Sequence, residues 1–144
     1  MDLDLERRYV LEKLCDYIEA IEEGVADLHQ PEENRILFTV NRRPFEVLVW
    51  INEDWDMVCV TTRTHEMHVE KIEDAVKLLQ STLETCWDYC VSVSPVEQRY
   101  DLSMALFASG LGFEPFESVL YNLLDCAETL EKNYKNRDNP PAAE

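Results

Sequence analysis

Glycine is scarce in this sequence, with only three in 144 residues. Phosphate-binding loops and dinucleotide-binding fingerprints need several glycines within a few residues, because the backbone there must approach the phosphates closely. Long apolar runs are also lacking, since none approaches the roughly 18 residues that a membrane-spanning helix needs. We therefore expect no nucleotide cofactor and no helix that crosses a membrane.

Basic residues are few as well. The chain has 13 lysines and arginines against 30 acidic residues, a formal net charge of −17. A surface this negative repels the phosphates of nucleic acids and anionic membranes, so we expect neither as a partner. Two interpretations of the charge stay open: it keeps a small protein soluble, or it steers basic and amphipathic protein segments toward the surface.

The cysteines are odd in number and scattered, so they do not form an evident disulfide framework. They are Cys15, Cys59, Cys86, Cys90 and Cys126. The chain starts with the acidic segment 1–4, which does not suit the positively charged start of a secretory signal peptide. These features predict reduced thiols and a cytoplasmic location.

Hydrophobic periodicity predicts a single α+β domain with the order α-β-β-β-α-β-β-α. Helical spacing covers residues 3–24, 69–83 and 113–134, and strand alternation covers residues 36–40, 45–51, 57–62, 89–93 and 99–108. Two interpretations of residues 85–90 stay open: they prolong the second helix, or they begin the fourth strand. Residues 29–34 have the composition of a loop, and Pro95 is expected to end the fourth strand. We expect an antiparallel sheet packed by helices over residues 1–135 and a disordered tail over residues 136–144.

Both faces of the predicted three-stranded meander are apolar. One carries Val47, Val49, Ile51, Val58 and Val60, and the other carries Leu48, Trp50, Met57 and Cys59. One face must pack on the helices, so the other needs a second helix layer, a second subunit or a bound protein to cover it. We predict that Leu48, Trp50, Met57 and Cys59 form a partner-binding surface, with Trp55 at its rim.

Two helical segments carry apolar stripes. In the last helix the stripe includes Phe116, Leu120, Leu123 and Leu124, which we assign to core or dimer packing. In the second helix one side is lined by Ile72, Ala75, Val76, Leu79 and Leu83, while charged residues line the other side.

Residues suited to metal binding or catalysis form no recognisable motif. His65 and His68 lie near Cys86 and Cys90 in sequence, but the spacing between these cysteines lacks the tight turn of a zinc knuckle, and buried cysteine more often acts as a small hydrophobic residue. No local motif marks a cysteine–histidine nucleophile pair. We predict no metal site, no cofactor and no catalytic residue.

Charged clusters have simple interpretations too. Adjacent acidic pairs such as Glu22–Glu23 and Glu73–Asp74 are expected on solvated loops and helix faces, not in the apolar pocket that acid–base catalysis needs. The one basic cluster, Asn41-Arg42-Arg43, is expected in a hairpin turn. There it is either solvated or an electrostatic anchor for an acidic partner segment or a second subunit.

The order and spacing of these elements over residues 3–134 resemble the type III secretion chaperone-like fold. The resemblance rests on the strand pair 36–40 and 45–51, on the last amphipathic helix over residues 113–134 and on the acidic composition. This fold includes the class I effector chaperones (the Tir-chaperone family) and the YbjN-type sensory-transduction regulators. The sequence lacks the Gly-rich segment that many effector chaperones carry before the fourth strand, and it has more cysteine and tryptophan. Both departures favour a chaperone-like relative over a dedicated effector chaperone.

The resemblance implies a bacterial homodimer that is not an enzyme. Its sheet and helices would offer apolar grooves to an extended, partly unfolded protein client. A second hypothesis is a regulator that acts in a stress or signalling pathway by protein association. A third is a thiol- or zinc-dependent enzyme.

Overall fold

The computed structural model describes residues 3–86, 92–96 and 98–136. Three helices and six strands follow one another along these ranges. They are α1 (Leu3–Glu19), β1 (Val25–Glu32), β2 (Arg35–Val40), β3 (Glu46–Ile51), β4 (Met57–Arg63), α2 (Ile72–Cys86), β5 (Ser92–Val96), β6 (Arg99–Phe107) and α3 (Phe113–Asn136). The predicted α+β class and element order are confirmed, with one additional strand after α1.

The strands form one antiparallel sheet with the order β1-β2-β3-β4-β6-β5. Tight hairpins connect the successive strands from β1 through β4, and α2 connects β4 to β5. Strand β5 lies at the edge of the sheet opposite β1. Because β6 returns to pair with β4, the two halves of the chain share one continuous ladder, for example Val60 opposite Met104 and Arg63 opposite Asp101. Most of the tail predicted over residues 136–144 lies outside the described residues, and α3 continues to Asn136.

The additional strand β1 corrects the prediction of a loop over residues 29–34. Seven of its eight side chains are exposed, so it carries no alternation of apolar and polar residues that a sequence pattern could detect. Its pairing with β2 is irregular between Ala26 and His29 and again between His29 and Glu32, and Asp27 has a φ of 56°. Pro31 is tolerated because β1 is an edge strand.

Pro95 does not end the fourth predicted strand. It lies inside β5 and opposite Tyr100 of β6. Since β5 is the other edge of the sheet, a residue without an N–H costs less there than in a central strand.

The core lies between one face of the sheet and the helices. Each central strand buries alternate residues, and α3 packs on β4 and β6 while also contacting α1 and α2. The largest fully buried side chains are Leu14, Ile18, Ile36, Phe38, Phe45, Ile51, Leu102, Phe116, Leu120, Leu123, Leu124 and Leu130. Of the two apolar faces described in the sequence, the one that carries Val47, Val49, Val58 and Val60 is therefore the inner face.

Helix α2 packs on α3 with a different side from the apolar one noted in the sequence. Leu78 and Thr82 are buried, and Asn133 of α3 donates hydrogen bonds to the hydroxyls of Ser81 and Thr82 at 3.2 and 3.4 Å. The apolar stripe remains accessible instead, since Ile72 is 84% exposed, and Val76 and Leu83 are also exposed. Hydrophobic periodicity identified the apolar stripe of α2, but it could not show whether another element of the same chain packs on it.

None of the helices in the described ranges is long and apolar enough to cross a bilayer.

The burial of α3 predicts a large difference between two phenylalanines. Replacing Phe116, which is fully buried, by alanine should lower the free energy of unfolding by about 3–5 kcal/mol, because the substitution leaves a cavity in the core where α3 packs on Tyr17 of α1. Urea unfolding followed by circular dichroism measures this loss.

Phe107→Ala is the matched control, since that side chain is 74% exposed. Its effect should stay within about 0.5 kcal/mol. Similar losses for the two variants would mean that the core is not organised around α3 as described.

Candidate functional site

The sheet face opposite α3 lines a concavity of about 720 Å³ that is open to solvent. Because strand residues alternate between the two faces, the burial of one set on the helices places Leu37, Leu48, Trp50 and Cys59 on the other face. We call the surface formed by these four residues the open face. All four side chains are partly exposed, so no part of the described chain fully covers them.

The strand register brings the open-face residues into contact distance of one another. Trp50 lies opposite Cys59, and Leu48 lies opposite Leu37 on one side and Thr61 on the other. Cross-strand neighbours of this kind have Cβ atoms about 4.5–5.5 Å apart. Three of the five residues predicted as a partner surface, Leu48, Trp50 and Cys59, are therefore adjacent.

Met57 lies on the same side of the sheet but at its far end. Its cross-strand neighbour is Phe107, whose side chain is 74% exposed. Sequence reasoning missed Phe107 and Leu37 because it assigned residues to this face only on the strands that became β3 and β4, not on β2 and β6. Applying the alternation to every strand would have placed both residues on this face.

Trp55 does not lie at the rim of the open face. The turn before β4 turns it toward α1, where the Arg7 guanidinium lies 5.3 Å from its ring centroid, and the ring packs against the core. The backbone of Trp55 has a φ of 59°, a left-handed conformation that no sequence pattern indicated for a tryptophan. The predicted surface thus loses this member.

Charged side chains surround the open face. The lining of the concavity includes three arginines, Arg35, Arg63 and Arg99, and two carboxylates, Glu46 and Asp101. Arg63 makes a two-point ion pair with Asp101, with Nε–Oδ1 at 2.7 Å and Nη2–Oδ2 at 3.2 Å. A chain with a net charge of −17 therefore gathers several of its few cations around one apolar surface.

The four residues assigned to core or dimer packing on α3 lie in the interior of the single chain. Phe116, Leu120, Leu123 and Leu124 are at most 1% exposed. They hold the sheet and helices together and are not accessible to a second subunit.

Arg43 does not reach outward from its hairpin turn to a partner. Its guanidinium bonds to Glu23 at 3.2 Å, Asp125 at 2.9 Å and Glu128 at 2.8 Å, and it lies over the ring of Tyr121 at 5.9 Å. The anchor predicted at Asn41-Arg42-Arg43 is thus an internal one, which ties the β2–β3 turn to α3 and to the segment after α1.

Electrostatics favour the charged form of Arg43. The hydrogen bond to Glu23 raises the pKa of Arg43 further above its already high value, and the hydrogen bonds to Glu128 and Asp125 add to this effect although burial opposes it. Burial also raises the pKa of the Tyr121 hydroxyl, which accepts a hydrogen bond from the Glu23 N–H at 3.3 Å. Arg43 therefore keeps its positive charge at neutral pH.

The two histidines noted in the sequence fasten a loop to α3. The backbone N–H of His65 donates to Glu131 at 2.7 Å, the ring Nδ1 lies 2.8 Å from the same oxygen, and the N–H of His68 donates to the Tyr134 hydroxyl at 3.0 Å. No group of three metal-ligating side chains converges among the residues that the structure describes. The side chains of Cys86 and Cys90 lie outside those residues.

The cysteines differ in oxidation state. Cys15 and Cys59 are free, whereas Cys126 on α3 is buried and disulfide-bonded, which departs from the prediction of reduced thiols throughout. Burial raises the pKa of the Cys15 thiol, and the carboxylates of Glu19 and Asp16 raise it further. This environment opposes thiolate formation and therefore nucleophilic chemistry at Cys15.

Comparison with known proteins identifies the fold. No protein-family model and no curated protein sequence matches the chain. Among solved structures, a chain of the HopA1–SchA chaperone–effector complex is 12% identical with a TM-score of 0.67, covering 91% of this chain and 99% of that chain. The chain has the secretion chaperone-like fold.

Two further structures share this fold. An uncharacterized protein from Methanothermobacter thermautotrophicus is 15% identical with a TM-score of 0.60, covering 89% of this chain and 98% of its own. A chain of the ExsC–ExsE complex is 19% identical with a TM-score of 0.51, and both chains are covered fully. Identities this low show a common fold and leave the partner of this chain to be inferred from its own surface.

The Arg43 cluster predicts a measurable contribution to stability. Arg43→Gln should lower the free energy of unfolding by about 1–2 kcal/mol, because it removes hydrogen bonds to charged groups and leaves three carboxylates close together. Urea unfolding in 0.1 M and 1 M NaCl measures it, and the loss should shrink at high salt because the interactions are screened.

Arg42→Gln removes the same charge from the neighbouring exposed position and serves as the control. Its effect should stay within about 0.5 kcal/mol. If both variants lose the same stability at both salt concentrations, the contribution comes from net charge and not from the cluster.

Proposed function

We propose that this chain is a non-catalytic, chaperone-like protein that holds a protein client on its open face and works in the cytoplasm. The observation that carries the proposal is the concave, apolar open face, which lies on the side of the sheet away from α3. Apolar residues rimmed by polar and charged ones on a concave surface are typical of protein-binding sites. The resemblance in fold to a chain of a chaperone–effector complex supports a polypeptide as the ligand.

The shape of the sheet favours docking on its face over addition of a strand at its edges. Strand addition needs a regular row of free N–H and C=O groups. The pairing of β1 is interrupted twice, and β5 contains Pro95, which has no N–H to donate. An extended client segment would instead place alternate side chains among Leu37, Leu48 and Trp50.

We further propose a homodimer formed through α2. Ile72, Val76, Leu79 and Leu83 follow one another at spacings of four, three and four residues, which is the repeat of a two-helix seam. Three of the four are exposed, although Leu78 of the same helix is buried on α3. A second copy would cover this stripe and leave the open face of each chain free for a client.

A regulator that acts by protein association would use the same open face. It would differ in having a partner that is present only under certain conditions, not one constant client. In either case the free thiols of Cys15 and Cys59 fit a cytoplasmic location, whereas the disulfide at Cys126 is uncommon there.

Trp50→Glu should abolish client capture while the fold is retained, because the side chain lies at the centre of the open face and outside the core. Affinity capture from a native lysate, followed by mass spectrometry, should show a stoichiometric partner for the wild type and none for the variant. Circular dichroism checks the fold.

Tyr9→Glu is the matched control, since Tyr9 is an exposed aromatic residue on α1. It should leave capture unchanged. Unfolding of Trp50→Glu would assign Trp50 to the core, and equal capture by both variants would move the client off the open face.

Val76→Glu should convert the dimer to a monomer, because it places a charge in the middle of the α2 stripe. Light scattering coupled to gel filtration should give twice the 16.9 kDa of the chain for the wild type and a single chain for the variant. Lys77→Glu changes an exposed residue beside the stripe and should remain dimeric. A dimeric Val76→Glu protein, or a monomeric wild type, would contradict an interface at α2.

A further inference from the structure

We propose that the segment bound on the open face is extended and carries acidic residues on either side of an apolar centre, with its carboxylates contacting Arg99 and Arg35. The inference rests on the proposed function and adds the chemistry of the client. It runs against the expectation from net charge alone, which is that an acidic protein attracts basic segments.

The first argument is the local charge around the open face. Its lining contains more arginines than carboxylates, in a chain whose acidic residues outnumber its basic ones by more than two to one. At physiological ionic strength the field of distant carboxylates is screened over about 8 Å, so a bound segment responds mainly to the charges that line the concavity. Within this distance Glu32 offsets Arg35 and Asp101 offsets Arg63, so the guanidinium of Arg99 is the lining cation that favours a carboxylate over an ammonium group.

The second argument is which arginines are available. Asp101 engages Arg63 through both of its oxygens, so this pair is satisfied within the chain. Arg99 has no ion pair or hydrogen-bond partner for its side chain among the described residues, and it is exposed. Arg35 has only Glu32, at 3.4 Å, in a pair whose two side chains are about half exposed or more. Guanidinium groups of this kind bind carboxylates in a two-point geometry.

The third argument is geometric. Arg35 lies in the cross-strand row of Trp50, Cys59 and Ala105, and Arg99 lies six residues from Ala105 along β6. Three strand spacings of about 4.8 Å and six residues of about 3.3 Å place the two arginines about 24 Å apart across the diagonal of the face. An extended segment covers this distance in about seven to eight residues. It passes over Leu48 on β3 and Arg63 on β4, with Trp50 beside its Arg35 end.

The residue types along this diagonal match an alternating segment. Apolar side chains between the two ends would contact Leu48 and the neighbouring Trp50, while the acidic ends would reach the two arginines. Charges at the rim of an interface contribute mainly to selection of the partner, and the apolar centre contributes most of the binding energy. The arginine pair therefore selects among segments that the apolar surface could otherwise accept.

The test uses two capped nine-residue peptides that differ only at their ends, Glu-Ser-Val-Ser-Leu-Ser-Val-Ser-Glu and the same peptide with Lys in place of both Glu residues. Each is titrated into the ¹⁵N-labelled full-length protein at physiological ionic strength, and amide and indole shifts locate and quantify binding. We expect shifts at Leu48 and Trp50, and about tenfold tighter binding of the Glu peptide.

A charge reversal makes the test specific. Arg99→Glu should weaken binding of the Glu peptide by about three- to tenfold and strengthen binding of the Lys peptide. Arg8→Glu is the matched control, since it makes the same change at an exposed position of α1 and should leave both affinities unchanged.

Two results overturn the inference in different ways. Equal affinities for the peptides, or tighter binding of the Lys peptide, with shifts on the open face would refute the acidic segment and leave the proposed docking surface intact. The absence of open-face shifts with either peptide would refute both the inference and the docking surface.

Discussion

The packing of α3 against the sheet determines most of what this molecule presents to its surroundings. Once Val47, Val49 and Ile51 turn into the core on the helix side of the sheet, strand alternation forces Leu48 and Trp50 to the opposite side, whatever their hydrophobicity. In a sheet with helices on both faces this would complete a second core. Here the chain supplies α1 and α3 to one face, so the apolar residues of the other face remain as a concave surface.

The same packing governs α2. Helix α3 accepts α2 through Leu78 and Thr82, a contact in which hydrogen bonds from Asn133 accompany the apolar burial. The more hydrophobic side of α2 is then directed away from the chain. Two separate apolar surfaces therefore follow from the position of one helix, and they lie on different sides of the molecule.

Much of this arrangement was predictable from the sequence, and the exceptions have definite physical causes. The order of elements, the inner face of the sheet and the grouping of Leu48, Trp50 and Cys59 all follow from periodicity, because buried strands leave a strong alternation. Strand β1 left no such signal, since its side chains are exposed on both sides. Trp55 was misplaced because its left-handed backbone redirects the ring toward Arg7.

Other features depend on contacts between distant parts of the chain. Arg43 is neutralised by Asp125 and Glu128, more than 80 residues away, and no local pattern encodes such a cluster. The same holds for the loop that His65 and Glu131 fasten to α3. The sequence shows which residues are charged or titratable. Only the tertiary structure shows which of them hold the fold together and which lie at the surface.

The irregular edges of the sheet have a consequence for the behaviour of the protein at high concentration. A sheet with one apolar face left open is a template for fibrillar aggregation if its edge strands can recruit copies of themselves. The two interruptions in β1 and the proline in β5 remove the regular hydrogen-bonding rows that such growth requires. The protein can therefore leave one apolar face of the sheet exposed without pairing its edge strands with those of other copies.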